Sequence, residues 1–167
     1  MIILGIDPGY AIVGWGVVKY QGNRFTTLAY GAVTTEAGTP FSLRLKDIYD
    51  GIGDLCKRYH PDAMSVEKLF FQNNAKTAIY VAQARGVILL AGIENGIPVA
   101  EYTPLQVKQA VVGYGRAVKN QVMEMTRVLL KLEKVPKPDD TADALALAIC
   151  HAHTSGSQMM NLMKGRR

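Results

Sequence analysis

Four carboxylates have the residue types and positions that suit catalysis. Asp7 ends a short apolar run and is followed by the turn-forming pair Pro8-Gly9. Glu67 ends a second apolar run in the same way. Asp140 and Asp143 lie three residues apart at the start of a predicted helix, so they share one face of it. Each acid therefore lies at the end of a regular element.

These acids could together hold divalent metal ions. The carboxyl ends of parallel strands lie along one edge of a sheet, where sites form. Oxygen ligands without a histidine or cysteine cluster suit Mg²⁺, or Mn²⁺ in its place, and argue against zinc. Two such ions roughly 4 Å apart activate water and stabilise the leaving oxygen in phosphodiester hydrolysis. The set therefore predicts a two-metal hydrolytic site.

Each acid also has an ordinary structural explanation. Asp7 beside Pro8-Gly9 is common turn chemistry, and on that stretch alone the two interpretations are even. Asp140 and Asp143 make a good helix start, and taken alone they favour a cap. Asp139 lies four residues before Asp143 and could replace Asp140. The combination of all these acids favours a metal site.

Basic and aromatic residues surround the acids in the sequence. Phe70 follows Glu67 closely, and it is either a core anchor or a ring that stacks on unpaired bases. A second group lies on and around a Gly113-Gly115 break, which suits contact with a phosphate backbone. For any single cation a solvated helix face is the simpler explanation. The candidate DNA-binding residues are Phe70, Lys76, Lys108, Arg116 and Lys119.

The hydrophobic pattern predicts an α/β fold. Three strands come first, then alternating helices and strands, which gives a five-stranded mixed sheet whose first three strands are antiparallel. The predicted elements are strands ending at Asp7, over 12–18, 25–35, 63–67 and 97–102, and helices over about 43–60, 75–94, 104–112, 120–132 and 140–153.

One predicted helix has an apolar stripe with small residues. The stripe contains Ala75, Ile79, Ala82, Gly86, Leu89 and Ile93. The simpler interpretation places the sheet under this stripe. The alternative places a second copy of the helix there, across a dimer interface.

Length and composition set the remaining limits. A chain of 167 residues suits one domain, predicted over 1–154 with a polar tail over 155–167. The formal net charge of +5 permits a polyanionic partner without requiring one. Cys56 and Cys150 form no metal or redox motif and suit a reducing cytosol. We expect a soluble, cytoplasmic protein with no signal peptide and no apolar run of membrane-spanning length.

Several motifs resemble the RuvC-type Holliday junction resolvases, the crossover junction endodeoxyribonucleases of bacterial recombination. The resemblance covers Met1 to about His153. Its marks are Gly5-Ile6-Asp7-Pro8-Gly9, Val66-Glu67, Gln83-Ala84-Arg85-Gly86, Val107-Lys108-Gln109, Val111-Val112-Gly113 and Asp140-Thr141-Ala142-Asp143-Ala144-Leu145-Ala146.

This resemblance implies a ribonuclease H-like fold and a homodimer that nicks two opposed strands of a four-way junction. It implies that the RuvA-RuvB branch-migration complex is a partner. The family's metal-binding acids fall on Asp7, Glu67, Asp140 and Asp143. Its junction-stacking aromatic falls on Phe70, and its DNA-contacting lysines fall on Lys108 and Lys119.

Two other classes share parts of this pattern. Sugar kinases and actin-like ATPases also begin with a strand ending in Asp-x-Gly, but they need two such domains around a nucleotide. A non-catalytic DNA-binding module explains the basic charge. It does not explain four acids where a polyanion must approach, because bare carboxylates repel phosphates.

Overall fold

The computed structural model describes residues 1–69 and 75–164. Within these ranges the chain forms a three-stranded meander, then helices that alternate with two further strands, and finally three helices in succession. In chain order they are β1 (Ile2–Asp7), β2 (Ile12–Gln21), β3 (Arg24–Thr34), α1 (Phe41–Tyr59), β4 (Ala63–Glu67), α2 (Ala75–Glu94), β5 (Val99–Tyr102), α3 (Pro104–Val112), α4 (Lys119–Leu129) and α5 (Asp139–Lys164).

The strands form one mixed sheet in the order β3-β2-β1-β4-β5. β1, β2 and β3 pair antiparallel, whereas β1 with β4 and β4 with β5 pair parallel. Gly22 and Asn23 both have positive φ in the turn between β2 and β3, as a tight hairpin requires. The predicted five-stranded mixed sheet is confirmed, including its antiparallel start.

Helices cover both faces of the sheet. α3, α4 and α5 contribute to one core, which includes Ile3 of β1. α1 and α2 contribute to the other, which includes Leu4 and Ile6. Because strand side chains alternate between faces, Asp7 lies on the same face as Ile3, towards α5. Ser65 of β4 donates a hydrogen bond to the Leu147 carbonyl of α5 at 2.7 Å, so Glu67 also belongs to this face.

Helix α5 lies directly on the backbone of β1 and β2. A Cβ on Gly5 would overlap the Ala144 carbonyl, and a Cβ on Gly14 would overlap the Asp140 carbonyl. Glycine inside a strand permits this close approach. The glycines therefore bring the acidic start of α5 down onto the sheet.

The predicted packing of α2 is only partly right. The residues of α2 that enter the core are Ala84, Ile88 and Ala91. Ile79 and Ile93, which the simpler of the two interpretations places against the sheet, are 59% and 61% exposed. Within the part of the chain that the structure describes, a Cβ on Gly86 would meet no atom within 4 Å. The outward side of this helix, which we name the α2 outer face, consists of Ile79, Gln83, Gly86, Leu90 and Ile93.

One expectation about hydropathy is also wrong. Residues Thr77–Glu94 of α2 are long and apolar enough to cross a membrane by length and composition, with a mean hydropathy of 1.2. Only 22% of this stretch is buried. Its inward side nevertheless packs in the core with β1 and β4, so α2 is part of the folded domain. Its exposed apolar side therefore needs another explanation.

Two smaller corrections concern helices α1 and α5. Leu43 begins the apolar pattern that predicts this helix, but it is 51% exposed on α1. We expected α5 to end near His153, but it continues to Lys164. Thr154 and Ser155 donate to the carbonyls of Cys150 and His151, each at 2.8 Å, and so bond within the helix.

Candidate active site

Two of the four acids end neighbouring parallel strands. Ile6 of β1 is the ladder partner of Val66 of β4. Asp7 and Glu67 are the next residues of these two strands, so they end the strands side by side. Both side chains lie on the α5 face of the sheet, as the strand alternation requires. The expectation that these two strand ends lie side by side is confirmed.

The other two acids are held at the start of α5 by contacts with the sheet. Gly14 is the partner of Asp7 in the β1–β2 ladder, and the space of its absent Cβ is filled by the Asp140 carbonyl. Thr141 is fully buried and donates a hydrogen bond to the Gly31 carbonyl of β3 at 3.1 Å. These contacts bring Asp140 and Asp143 towards Asp7.

Burial, together with the repulsion between the carboxylates, raises the pKa of three of them. Burial, followed by the negative charges of Glu67, Asp143 and Asp140, raises the pKa of Asp7 to about 8. Burial and the charge of Asp143 also raise the pKa of Glu67. Burial is likewise the main cause of the raised pKa of Asp143. A group of acids whose charges are this poorly compensated is a ready acceptor of cations.

Lys119 provides positive charge within this group. Its Nζ lies 3.0 Å from Asp143 Oδ2 and 3.6 Å from Asp139 Oδ2. It lowers the pKa of Asp7, while Asp143, Asp139 and Asp7 raise its own pKa against the opposing effect of burial. Lys119 therefore lies among the carboxylates.

Asp139 and Asp140 differ in their surroundings. Lys137 Nζ donates a hydrogen bond to Asp139 Oδ1 at 2.6 Å, and this contact is the main cause of the lowered pKa of Asp139. Asp140, unlike Asp139, is among the charges that raise the pKa of Asp7. Of the two, Asp140 is the better candidate for a shared site with Asp7.

The residues at the site fit a hard divalent cation by their chemistry. The donors are carboxylate oxygens on rigid elements, which Mg²⁺ prefers. Within residues 1–69 and 75–164, no three potential ligands are already close enough together to enclose an ion. The raised pKa of Asp7 shows that the acids still share one electrostatic environment, in which an added cation would replace protons.

A groove extends from the acids across the start of α3. A cavity of about 180 Å³ is lined by Glu67, Lys119 and Asp143, with apolar walls that include Val122 and Leu147. It adjoins a wider recess of about 690 Å³, and Glu67 and Lys108 line both. We name the two together the Glu67 groove.

The structure describes the side chains of only some of the candidate DNA-binding residues. Lys108 lines the Glu67 groove, and Arg116 is exposed in the connection between α3 and α4. Lys76 lies in the first turn of α2, where its side chain is not described. Phe70 lies outside the described residues. The roles of these four residues stay predictions.

Three contributors to the site were not predicted from the sequence. Gly14 and Thr141 fix the start of α5, and Arg85 contacts the end of β4. Alternating Gly14 and Gly16 in a strand is a signal of close backbone approach that could have been used. Thr141 and Arg85 act through tertiary contacts that residue spacing does not reveal.

The raised pKa of Asp7 predicts a pH-dependent stability. Between the ordinary value of 3.8 and about 8, the folded chain keeps a proton on Asp7 that the unfolded chain has lost. Folding thus takes up a proton, so stability of the metal-free protein should fall as pH rises through this range. We expect a lower melting temperature at about pH 8.5 than at about pH 6, measured by circular dichroism in EDTA.

Two comparisons check this cause. Adding Mg²⁺ at the higher pH should recover the lost stability, because the ion compensates the same charges. Asp7→Asn should flatten the metal-free pH dependence. An equally steep dependence in this variant would contradict the assignment to Asp7.

The fold and the site together define a class of protein. A five-stranded mixed sheet with helices on both faces, and carboxylates at the carboxyl ends of two central strands, is the architecture of a ribonuclease H-like nuclease domain. The structure titled Thermus thermophilus RuvC superposes with a TM-score of 0.89 at 37% identity, covering 95% of this chain and 97% of that one.

Sequence relatives identify the family. The family model for crossover junction endodeoxyribonuclease RuvC matches residues 3–151. The RuvC of Clostridioides difficile is 61% identical over 155 residues, which is 93% of this chain and 92% of the relative. That of Desulforamulus reducens is 59% identical over 157 residues, covering 94% and 96%. The chain belongs to the RuvC family of crossover junction endodeoxyribonucleases. It is accordingly a metal-dependent Holliday junction resolvase of DNA recombination and repair.

Proposed function

We propose that this chain resolves four-way DNA junctions as a homodimer that nicks two opposed strands, with two Mg²⁺ ions per active site. Asp7, Glu67, Asp140 and Asp143 would hold the ions, and Mn²⁺ would substitute. The observation that supports this is the convergence of four carboxylates, where burial first and then the charges of Glu67, Asp143 and Asp140 raise the pKa of Asp7 to about 8.

The bound ions would supply an activated water and stabilise the leaving oxygen of the scissile phosphate. The residues of the chain supply the rigid frame. Asp7 experiences the charges of the other three acids, so it is the best candidate for a ligand shared between two ions. Lys119 partly neutralises the acids through Asp143, which reduces their repulsion of an incoming phosphate.

The Glu67 groove is the proposed path of the cleaved strand. Lys68 and Lys108 line its wider part and would contact phosphates there. Phe70, Lys76, Arg116 and Lys119 complete the proposed DNA-binding set. A Thermus thermophilus RuvC solved in complex with a Holliday junction substrate is 38% identical, which supports four-way junction DNA as the ligand.

Replacing Lys108 with alanine should weaken junction binding. The logarithm of the association constant falls linearly with the logarithm of the salt concentration, and removal of one phosphate contact should make this slope shallower by about 1. The measurement is a binding titration with a labelled four-way junction at several salt concentrations, in Ca²⁺ to prevent cleavage.

Lys57→Ala is the matched control for Lys108→Ala. Lys57 is exposed in the last turn of α1. This helix leads to the start of β4, whereas Glu67 lies at the opposite end of that strand. Replacement of Lys57 should leave the slope unchanged. Equal slopes for the wild type and Lys108→Ala would remove Lys108 from the DNA contact.

The α2 outer face is the proposed dimer interface. Its members recur at spacings of three and four residues, all except Gln83 lack a polar side chain, and Leu90 is 50% exposed. Gly86 lies in the middle, where the lack of a side chain would permit close approach of a second helix. An exposed apolar surface of this kind on a single chain marks an interaction site. A second copy is the occupant that paired nicking requires.

The remaining partners follow from the family. We infer that the chain works in the cytoplasm with the RuvA-RuvB branch-migration complex. It would receive four-way junctions from that complex during recombination and repair.

A supercoiled plasmid with an extruded cruciform tests paired nicking. Two nicks made within one binding event convert this plasmid directly to a linear product. Separate nicks first accumulate nicked circles. We expect linear product from the earliest times in Mg²⁺; a lasting nicked circle would contradict the paired mechanism, and no cleavage would favour a non-catalytic binding module.

A further inference from the structure

Arg85 of α2 joins three elements at the end of β4. Its Nε donates a hydrogen bond to the main-chain carbonyl of Glu67 at 3.1 Å. Its Nη2 forms an ion pair with the carboxylate of Glu101 on β5. The Arg85 side chain is only 16% exposed, whereas the Glu101 carboxylate that pairs with it is 39% exposed at the surface. Burial lowers the pKa of the guanidinium, which makes its charged partners more important.

The carbonyl that Arg85 binds belongs to the last residue of a strand. Beyond Glu67 the main chain leaves the sheet, although Lys68 still donates to the Tyr102 carbonyl at 2.8 Å. The end of a strand frays unless its polar groups are bound. Arg85 reaches this point from α2, whereas the Glu67 side chain lies on the opposite, α5 side of the sheet.

We propose that Arg85 is a positioning residue for Glu67: it fixes the main chain at the end of β4, and thereby the direction in which the Glu67 carboxylate points. The inference rests on the proposed role of Glu67 as a metal ligand. Groups that orient metal ligands through hydrogen bonds affect metal affinity without touching the ion. Glu101 in turn holds Arg85 in place.

Metal binding without DNA tests this role directly. Mn²⁺ binding to the full chain is followed by the loss of the free-ion electron paramagnetic resonance signal. Arg85→Met, which keeps the length of the side chain but removes its donors, should weaken Mn²⁺ binding about tenfold. In a Glu67→Gln background the same change should have little further effect, because the ligand that Arg85 orients is gone.

Arg127→Met is the matched control. Arg127 makes the same kinds of contact elsewhere, to the Glu124 carboxylate at 2.9 Å and to the Leu132 carbonyl at 3.3 Å, at the end of α4. Its loss should leave Mn²⁺ affinity unchanged. An equal weakening by Arg127→Met, or an equal effect of Arg85→Met with and without Glu67, would indicate general destabilisation and overturn the proposal.

Further outcomes separate this proposal from the proposed function. If Glu67→Gln does not weaken Mn²⁺ binding, the metal role of Glu67 fails, and the positioning role fails with it. If Glu67→Gln weakens Mn²⁺ binding but Arg85→Met does not, the positioning role of Arg85 fails and the metal role of Glu67 stands. Should Arg85→Met not fold, Glu101→Gln decides: about threefold weaker binding supports the proposal, and unchanged binding contradicts it.

Discussion

Asp7→Asn should lower cleavage of a four-way junction by at least about a thousandfold while junction binding is kept. The amide has nearly the shape of the carboxylate, so the change removes charge and little else. Asp7 lies where the charges of Glu67, Asp140 and Asp143 combine, so its loss should affect every ion that they hold. Single-turnover cleavage in Mg²⁺ and a separate binding titration measure the two effects.

Asp62→Asn is the matched control for this variant. Asp62 precedes β4 and accepts a hydrogen bond from the Ile2 backbone at 2.6 Å, at the opposite end of β1 from Asp7. Its amide counterpart can still accept that bond, so cleavage should stay near the wild-type rate. Cleavage by Asp7→Asn at the wild-type rate would exclude the proposed metal site.

Gly86→Glu should convert the proposed dimer to monomers and abolish paired nicking. Among residues 1–69 and 75–164, no atom lies within 4 Å of a Cβ at this position, so the described fold has room for the new side chain. Replacement of a helical glycine should even stabilise the single chain, by roughly half a kcal/mol. Across a close helix–helix contact, however, the same side chain would place bulk and charge against a second copy.

Sedimentation velocity gives the oligomeric state, and the cruciform plasmid gives the product. Gly156→Glu is the control, because Gly156 of α5 is also helical and a Cβ there would meet no atom of the described residues within 4 Å. It should stay dimeric and produce linear plasmid. A Gly86→Glu protein that stays dimeric would move the interface away from the α2 outer face.

The elements that carry the acids could be predicted because local chemistry determines them. Apolar runs ending in Asp7 and Glu67 formed the expected strands. The predicted helix over 104–112 is α3, which Thr103 caps through a capping box with Gln106. Such signals depend on near neighbours in the chain, so they survive in the folded protein.

The orientation of α2 and the approach of α5 to the sheet depend on tertiary packing, which the sequence pattern did not predict. Helix α2 carries apolar residues on both its inward and its outward side, so hydrophobic periodicity could not distinguish its core side from the α2 outer face. The approach of α5 depends on Gly14 of one strand and Thr141 bonding to another, which are distant in sequence. The convergence of the acids was predictable from strand ends, whereas the contacts that fix them were not.

The most direct test of the central claim is cleavage of a mobile four-way junction beside a linear duplex of the same sequence, with Mg²⁺ and with EDTA. The proposed mechanism predicts paired nicks in the junction only when Mg²⁺ is present, and no comparable cleavage of the duplex. Cleavage in EDTA, or equal cleavage of junction and duplex, would contradict it.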